Sequence, residues 1–133
     1  MSENREQDQL IRLSNNPTDQ QVIDGIRQWL ELLANDDYER AVQAIVFHGG
    51  PPTPDGFRSR IETFFGDKFR SKADAPSQDV LQRTEVYRTG IPDDCVAVIG
   101  FFIPLVNGYG IWTTFFLRLE NNSTFFEFEI FHV

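Results

Sequence analysis

The last third of the chain, residues 95–133, alternates large apolar and polar side chains and carries the clearest structural pattern. It contains eight of the thirteen phenylalanines and is interrupted at Asn107-Gly108 and Asn121-Asn122. Asparagine and glycine tolerate the backbone conformations that tight turns require. The pattern therefore predicts three consecutive antiparallel strands that form the core sheet.

Residue parity assigns each side chain of the last two strands to one face of this sheet. A two-residue turn at Asn121-Asn122 places Phe115 opposite Phe128. One face is then apolar and should form the core: Ile111, Phe115, Leu117, Leu119, Phe126, Phe128 and Ile130. The opposite face, which we call the mixed face, combines aromatic and charged residues: Trp112, Phe116, Arg118, Phe125, Glu127, Glu129 and Phe131. On this pairing Arg118 is diagonal to Glu127, at the spacing of a cross-strand ion pair.

The strand before these two, residues 95–106, is apolar at both parities, which is typical of a strand that is covered on both sides. A two-residue turn at Asn107-Gly108 would place Ile103 opposite Trp112. A three-residue loop over 107–109 instead places Phe101 opposite Phe115. We favour the three-residue loop, because it keeps the core face apolar.

Three helices precede the sheet. Thr18 and Gln21 have the spacing of a capping box, followed by one apolar stripe: Val22, Ile26, Trp29, Leu30 and Leu33. Asp36-Asp37 caps a second helix, which carries Ala41, Val42, Ile45 and Val46 and ends at His48-Gly49-Gly50. Thr53 and Pro54 begin a third, with Phe57, Ile61, Phe64 and Phe65 on its stripe.

These elements predict a single α+β domain over residues 17–133. Its three N-terminal helices pack on a curved four-stranded antiparallel sheet, whose first strand lies at the edge within 81–89. Residues 1–16 are polar and predict a flexible or loosely docked N-terminal arm. A chain of 133 residues is long enough to bury its own core in one domain.

The charge balance narrows the class of partner. A formal charge of −8 and a pI near 4.6 argue against nucleic-acid binding, which needs a basic field. Acidic residues concentrate in 17–50 and basic residues in 57–72. One cysteine permits no internal disulfide, and neither a signal sequence nor a membrane-spanning run is recognisable. We therefore expect a cytoplasmic protein with no membrane partner.

The element order, the helix-turn-helix segment from Trp29 to Ala41 and the closing aromatic strands resemble the NTF2-like (cystatin-like α+β cone) superfamily. The resemblance covers residues from about Pro17 to Val133. It implies a curved sheet wrapped around a long helix, a pocket at the open end and an outer sheet face that often forms a homodimer. The superfamily includes isomerases and dehydratases as well as non-enzymatic proteins such as transport factors and predicted immunity proteins. No catalytic motif of the enzymatic families matches this chain.

Few residues suggest chemistry. We predict that His48 lies at a helix C-terminus, where the dipole favours a cation, and that His132 lies near the end of the last strand on its core side. Cys95 is interpreted as a buried, inert thiol. We predict no catalytic residue, no metal site and no cofactor. A candidate pocket at the open end of the cone would be lined by Trp29, Tyr38, Tyr87 and His132.

Two functions remain open. The first is a non-enzymatic binding domain that uses the mixed face for a homodimer or another protein partner, in its most concrete version a toxin-neutralising immunity protein whose acidic surface suits a basic partner. The second is an NTF2-like enzyme or carrier for a small apolar ligand in the cone pocket. A cone filled by phenylalanine and leucine would exclude the second.

Overall fold

Helices and strands begin and end at the turn and capping residues of the sequence. The computed structural model describes residues 9–132. They form β1 (Arg12–Ser14), α1 (Asp19–Ala34), α2 (Tyr38–Gln43), β2 (Val46–Phe47), α3 (Pro54–Glu62), a 3-10 helix (Asp67–Phe69), α4 (Gln78–Gln82), β3 (Glu85–Tyr87), β4 (Ala97–Pro104), β5 (Gly110–Glu120) and β6 (Ser123–His132). The protein is therefore α+β, and no described helix is both long and apolar enough to cross a membrane.

The predicted helix starts are confirmed. The Thr18 side chain accepts a hydrogen bond from the Gln21 backbone, and the Gln21 side chain accepts one from the Thr18 backbone, which completes the capping box of α1. Asp37 caps α2 through the backbone N–H of Arg40. Thr53 caps α3, whose first residue is Pro54. Each cap side chain satisfies one of the free N–H groups of its first turn.

The strands form one curled, largely antiparallel sheet in the order β1-β6-β5-β4-β3, and β2 pairs in parallel with β6. Strands β5 and β6 are the longest and lie at its centre. Helix α1 packs on the inner face through Trp29, which is fully buried against Phe101 and Phe115 at ring-centroid distances of 6.0 and 5.0 Å. The core thus lies between α1 and the concave side of the sheet.

The β5–β6 hairpin has the predicted turn. Asn121 and Asn122 adopt φ values of 53° and 69°, as a two-residue turn with both central residues left-handed requires. Phe115 pairs with Phe128 and Leu117 with Phe126, as predicted. Phe126 is fully buried and Phe128 partly so, which confirms their assignment to the core face.

The predicted β4–β5 register is wrong by two residues. Ile99 lies opposite Phe115, and Phe101 lies opposite Thr113. The connection spans residues 105–109. Within it the backbone N–H of Leu105 donates to the carbonyl of Tyr109, and the N–H of Gly108 donates to the carbonyl of Leu105. A shift of two residues preserves parity, so the odd-numbered residues of β4 still face the core.

A β-bulge at Glu129 changes the face of the last three residues of β6. Thr114 pairs with Ile130 whereas Phe115 pairs with Phe128, which leaves Glu129 without a partner. The prediction that Ile130 lies in the core and Phe131 on the mixed face is therefore wrong. Ile130 is 43% exposed and Phe131 is 9% exposed. His132, predicted on the core side, is exposed and pairs with Trp112 instead.

Other predicted elements also differ. The second helix stops at Gln43, because Val46–Phe47 pairs with β6 instead of continuing the helix. The described residues contain four α-helices and six strands rather than three and four, since α4 and the short β1 and β2 were not predicted. Strand β1 lies within the predicted N-terminal arm, whose residues 1–8 lie outside the described part. Leu119, predicted in the core, is 52% exposed at the end of β5.

The bulge can be tested with two alanine substitutions. Phe131→Ala should lower the free energy of unfolding by an amount near the lower end of the roughly 3–5 kcal/mol found for buried aromatic truncations. Ile130→Ala should cost about 0.5 kcal/mol or less, as expected for a surface site. Urea denaturation followed by tryptophan fluorescence measures both changes. A regular strand without the bulge would reverse the order of the two losses.

Candidate functional site

The four residues of the candidate pocket do not lie together. Trp29 and Tyr38 are buried in the core, and both pack against Phe57 at ring-centroid distances of 6.1 and 6.3 Å. Tyr87 lies on the edge strand β3 and is 48% exposed, and His132 is exposed at the end of β6. The fold therefore separates the four residues of the candidate pocket into two core side chains and two surface side chains.

Tyr38 has the most perturbed environment in the core. Its hydroxyl is buried and has no hydrogen-bond partner among the described residues. Burial raises the pKa of the phenol, and the carboxylates of Glu62 and Asp36 raise it further. The Arg58 guanidinium lies 5.2 Å from the ring centroid and also pairs with Asp36 at 3.2 Å. The phenol thus stays protonated at neutral pH and is not suited to act as a base.

The convex side of the sheet carries several partly exposed aromatic residues. We call this surface the outer face; it consists of Val98, Phe102, Trp112, Phe116, Arg118, Phe125 and Glu127, all of intermediate exposure. Its aromatic residues do not belong to the core cluster. The Trp112 ring packs against Phe102 at 4.9 Å and lies over Gly100, where an added Cβ would collide with it. Glycine at this position therefore lets the indole lie flat on the sheet.

Arg118 organises the charged half of the outer face. Its guanidinium pairs with Glu127 at 2.7 Å and with Asp94 at 2.6 Å, and it lies 5.3 Å from the centroid of the Phe116 ring. Glu127 is 13% exposed. The hydrogen bond to Glu127 raises the pKa of Arg118, and the hydrogen bond from Arg118 lowers the pKa of Asp94. The predicted diagonal ion pair is thus present and also recruits an acid from the turn before β4.

Five of the seven residues predicted for the mixed face lie together on the outer face, and the other two do not. Trp112, Phe116, Arg118, Phe125 and Glu127 lie on the outer face. Phe131 turns into the core at the bulge, where its ring packs 4.9 Å from that of Phe128. Glu129 is the bulge residue and lines a separate cleft.

The sequence prediction missed Val98, Phe102 and Asp94. The even parity of the strand before β5 indicated the first two, which were interpreted as covered. Asp94 lies in a turn, and only the folded chain brings it next to Arg118.

The remaining candidates are single residues. Cys95 is partly exposed rather than buried; partial burial raises the pKa of its thiol, and its Sγ lies 3.8 Å from Asp94 Oδ1. His48 lies in a turn after β2, so the predicted contact with a helix C-terminus is wrong. Among residues 9–132 no group of three potential metal ligands comes together.

A second exposed apolar group lies at the other end of β4. It comprises Phe69, Val106 and Tyr109, which are 47%, 65% and 44% exposed. The Asn107 side chain donates to the carbonyl of Phe69 at 3.2 Å, so the loop and the 3-10 helix are held together. The charged pair next to this group is Arg70 with Glu62 at 3.1 Å, beside Phe69 in the chain.

Removal of Arg118 should alter the titration of Asp94. The depressed pKa of Asp94 means that its pairing stabilises the folded state above the ordinary carboxyl pKa, and that this stabilisation is lost as the pH falls through the depressed value. In Arg118→Gln the pKa of Asp94 should return to its ordinary range. Carboxyl carbon NMR over an acid titration measures the shift. Arg27→Gln, which removes an exposed helical pair with Glu31, should leave Asp94 unchanged.

The outer face has the composition of a contact surface. Its aromatic rings supply apolar area, and Arg118 supplies a charge that is already oriented by two carboxylates and a ring. Tryptophan, tyrosine and arginine are the residues that most often dominate binding at protein interfaces. No protein-family model, curated protein or solved structure matches the chain.

Proposed function

We propose that the chain is a non-enzymatic protein-binding domain of the NTF2-like type, and that it binds its partner through the outer face. The curled sheet with helices on its concave side supports the NTF2-like architecture. The row of half-buried rings around Arg118 supports the binding role. A cytoplasmic location remains part of the proposal.

The observation that carries the proposal is the contrast between the two faces of the sheet. The concave side is filled by fully buried side chains: Trp29, Phe57, Phe101, Phe115 and Phe126. The convex side leaves Phe102, Trp112, Phe116 and Phe125 partly open to water. A small-molecule carrier or enzyme of the cone type needs space on the concave side, where this protein packs aromatic rings. A protein partner needs apolar surface on the convex side, where this protein exposes aromatic rings.

The partner that fits the outer face is a second copy of the chain. In a two-fold dimer the same surface meets itself, so a face with an excess of one charge would repel its copy. The charged groups of the outer face pair with each other, Arg118 with both Glu127 and Asp94, and leave a net charge of only −1. Segment 17–50, which contains α1 and α2, carries a larger acidic excess. The convex sheet is therefore the surface on which two copies can approach without strong like-charge repulsion.

The acidic helical side suits a different partner. Asp19, Glu31, Asp36 and Glu39 are exposed on or beside α1 and α2, which supports the immunity-type version of the proposal with a basic protein as partner. Opposite charges accelerate the encounter of two proteins and discriminate against wrong partners. A basic toxin encoded by a neighbouring gene is the partner that this version requires.

The dimer can be tested with Trp112→Ser. We expect a dimer in solution whose dissociation constant rises by a factor of roughly 30 in this variant, because loss of a central aromatic residue commonly costs about 2 kcal/mol at an interface. Sedimentation equilibrium measures the constant. Tyr109→Ser removes a more exposed aromatic side chain from the second exposed apolar group and should leave the dissociation constant unchanged. A wild-type monomer at all accessible concentrations would refute the dimer.

The basic partner is tested separately, with the product of the neighbouring gene. Its association rate with the chain should fall steeply as salt is added and should fall again in a Glu31→Gln, Glu39→Gln double variant. Stopped-flow or surface-plasmon kinetics measures the rate, and Glu120→Gln, on the β5–β6 hairpin rather than on either helix, is the control. An association rate that does not depend on salt would contradict the role of the acidic side.

A further inference from the structure

A shallow cleft of about 290 Å³ opens at the Glu129 bulge, on the rim of the core and away from the outer face. Three segments form it: the turn after β2, helix α3 and strand β6. The lining residues on which its chemistry depends are Phe47, His48, Gly50, Arg60, Phe128 and Glu129. Ligand sites commonly range from about 300 to 1,000 Å³, so a cleft of this size matches a ligand with a single ring.

Arg60 is the cation of the cleft, and it lies against an aromatic wall. Its guanidinium carbon is 5.3 Å from the centroid of the Phe131 ring and 5.7 Å from that of Phe128. Arg58, two positions earlier, pairs with both Asp36 and Asp55. Among the described residues, no carboxylate lies within ion-pairing distance of Arg60. Its planar set of N–H donors is thus held by the rings and remains available to a carboxylate.

The wall of the cleft can hold a flat apolar group. Phe47 and Phe128 both line it, with ring centroids 5.5 Å apart and planes tilted by 37°. Phe47 is nearly buried and Phe128 packs against the core, so both rings are fixed. An aromatic ring placed against the exposed parts of these two rings gains apolar contact.

The turn at the rim of the cleft contains two glycines. Gly49 and Gly50 adopt φ values of 85° and 103°, in the left-handed region where other residues are strained. No heavy atom lies within 4 Å of the position that a Cβ would take at either residue. The turn closes through a hydrogen bond of 3.0 Å from Gly50 N to Phe47 O, so the opening is held by backbone geometry.

Glu129 adds selectivity to the cleft. The bulge leaves it outside the strand pairing and places it on the same cleft as Arg60. Its carboxylate repels a second negative charge on a ligand and accepts a hydrogen bond from a hydroxyl or amino substituent. His48, on the turn, can donate to or accept from the same ligand.

We propose that this cleft binds a small aromatic carboxylate that carries one negative charge. The ligand carboxylate pairs with Arg60, and its ring lies on Phe47 and Phe128. Glu129 excludes aromatic dicarboxylates and favours acids with a hydroxyl or amino group on the ring. This site is separate from the protein-binding surface and from the filled interior. The overall charge of −8 opposes the binding of anions, so saturable binding requires these specific contacts.

Three probes distinguish the contribution of the ligand's negative charge to binding from that of its aromatic ring. Benzoate carries both, acetate the charge and benzyl alcohol the ring, and each is titrated into the full chain labelled with nitrogen-15. Benzoate should shift the amide signals of His48, Gly49, Gly50 and Glu129 with one common saturation curve. Acetate and benzyl alcohol should bind about tenfold more weakly or worse, because each lacks one of the two contacts. Shifts that do not saturate, or equal shifts with acetate, would overturn the proposal.

Two variants test the role of Arg60 in binding the ligand carboxylate and the role of Glu129 in selectivity. Arg60→Gln should weaken benzoate binding about tenfold or more, as expected for the loss of a charge-assisted pair, whereas Arg83→Gln on the exposed surface should not change it. Glu129→Gln should bind benzoate more tightly and should admit phthalate, which the wild type rejects. Thermal melting curves confirm that each variant is folded. Wild-type affinity in Arg60→Gln, or unchanged selectivity in Glu129→Gln, would refute the assignment even if the other variant did not fold.

Discussion

Trp29 makes the contact on which the rest of the structure depends. Its ring meets Phe115 and Phe101 edge-on and so fixes α1 to the concave side of the sheet. Its Nε1–H donates to the carbonyl oxygen of Ala41 at 3.0 Å, which fixes α2 to α1. A buried indole requires such a partner, because an unpaired N–H in the core costs about 1–3 kcal/mol. One side chain therefore joins two helices to each other and to the sheet.

Because aromatic side chains fill the interior, other molecules can contact only the outside of the sheet and the rim of the core. Phe57 lies between Tyr38, Phe131 and Trp29, so aromatic rings continue from the first helix to the last strand. At the boundaries of this core, three arginines lie over rings: Arg58 over Tyr38, Arg118 over Phe116 on the convex side, and Arg60 over Phe131 at the rim. Arg118 is paired with two carboxylates, which suits a surface that meets a protein. Arg60 is not paired within the described residues, which suits a small anion.

The unpaired Glu129 shapes both of these surfaces. Because β6 contains one extra residue there, Phe131 turns into the core and Ile130 turns out. The same irregularity places the Glu129 carboxylate on the cleft with Arg60. Bulges commonly redirect side chains at the ends and rims of sheets. Here the bulge separates a mixed face that looked continuous in sequence into the outer face and the rim cleft.

The sequence by itself determined what depends on neighbours in the chain. Thr18 and Thr53 cap their helices with local backbone groups, and Asn121-Asn122 provides the left-handed turn that pairs Phe115 with Phe128. Parity then placed Trp112, Phe116, Arg118, Phe125 and Glu127 on one face, because a strand alternates its side chains whatever its partners are.

Only the tertiary structure decided which distant segments pair and where a strand departs from regularity. Val46–Phe47 has a helical pattern with the residues before it, and it becomes a strand because β6 offers it backbone partners from the far end of the chain. The bulge has no sequence signal, because Phe128, Ile130 and Phe131 are all apolar. A regular strand would bury Ile130 with Phe128, and a bulged strand buries Phe131 instead. Arg60 and Glu129 likewise share a cleft only after folding. Local pattern specifies periodicity and turns, whereas the choice between equally apolar alternatives depends on how well the complete core packs.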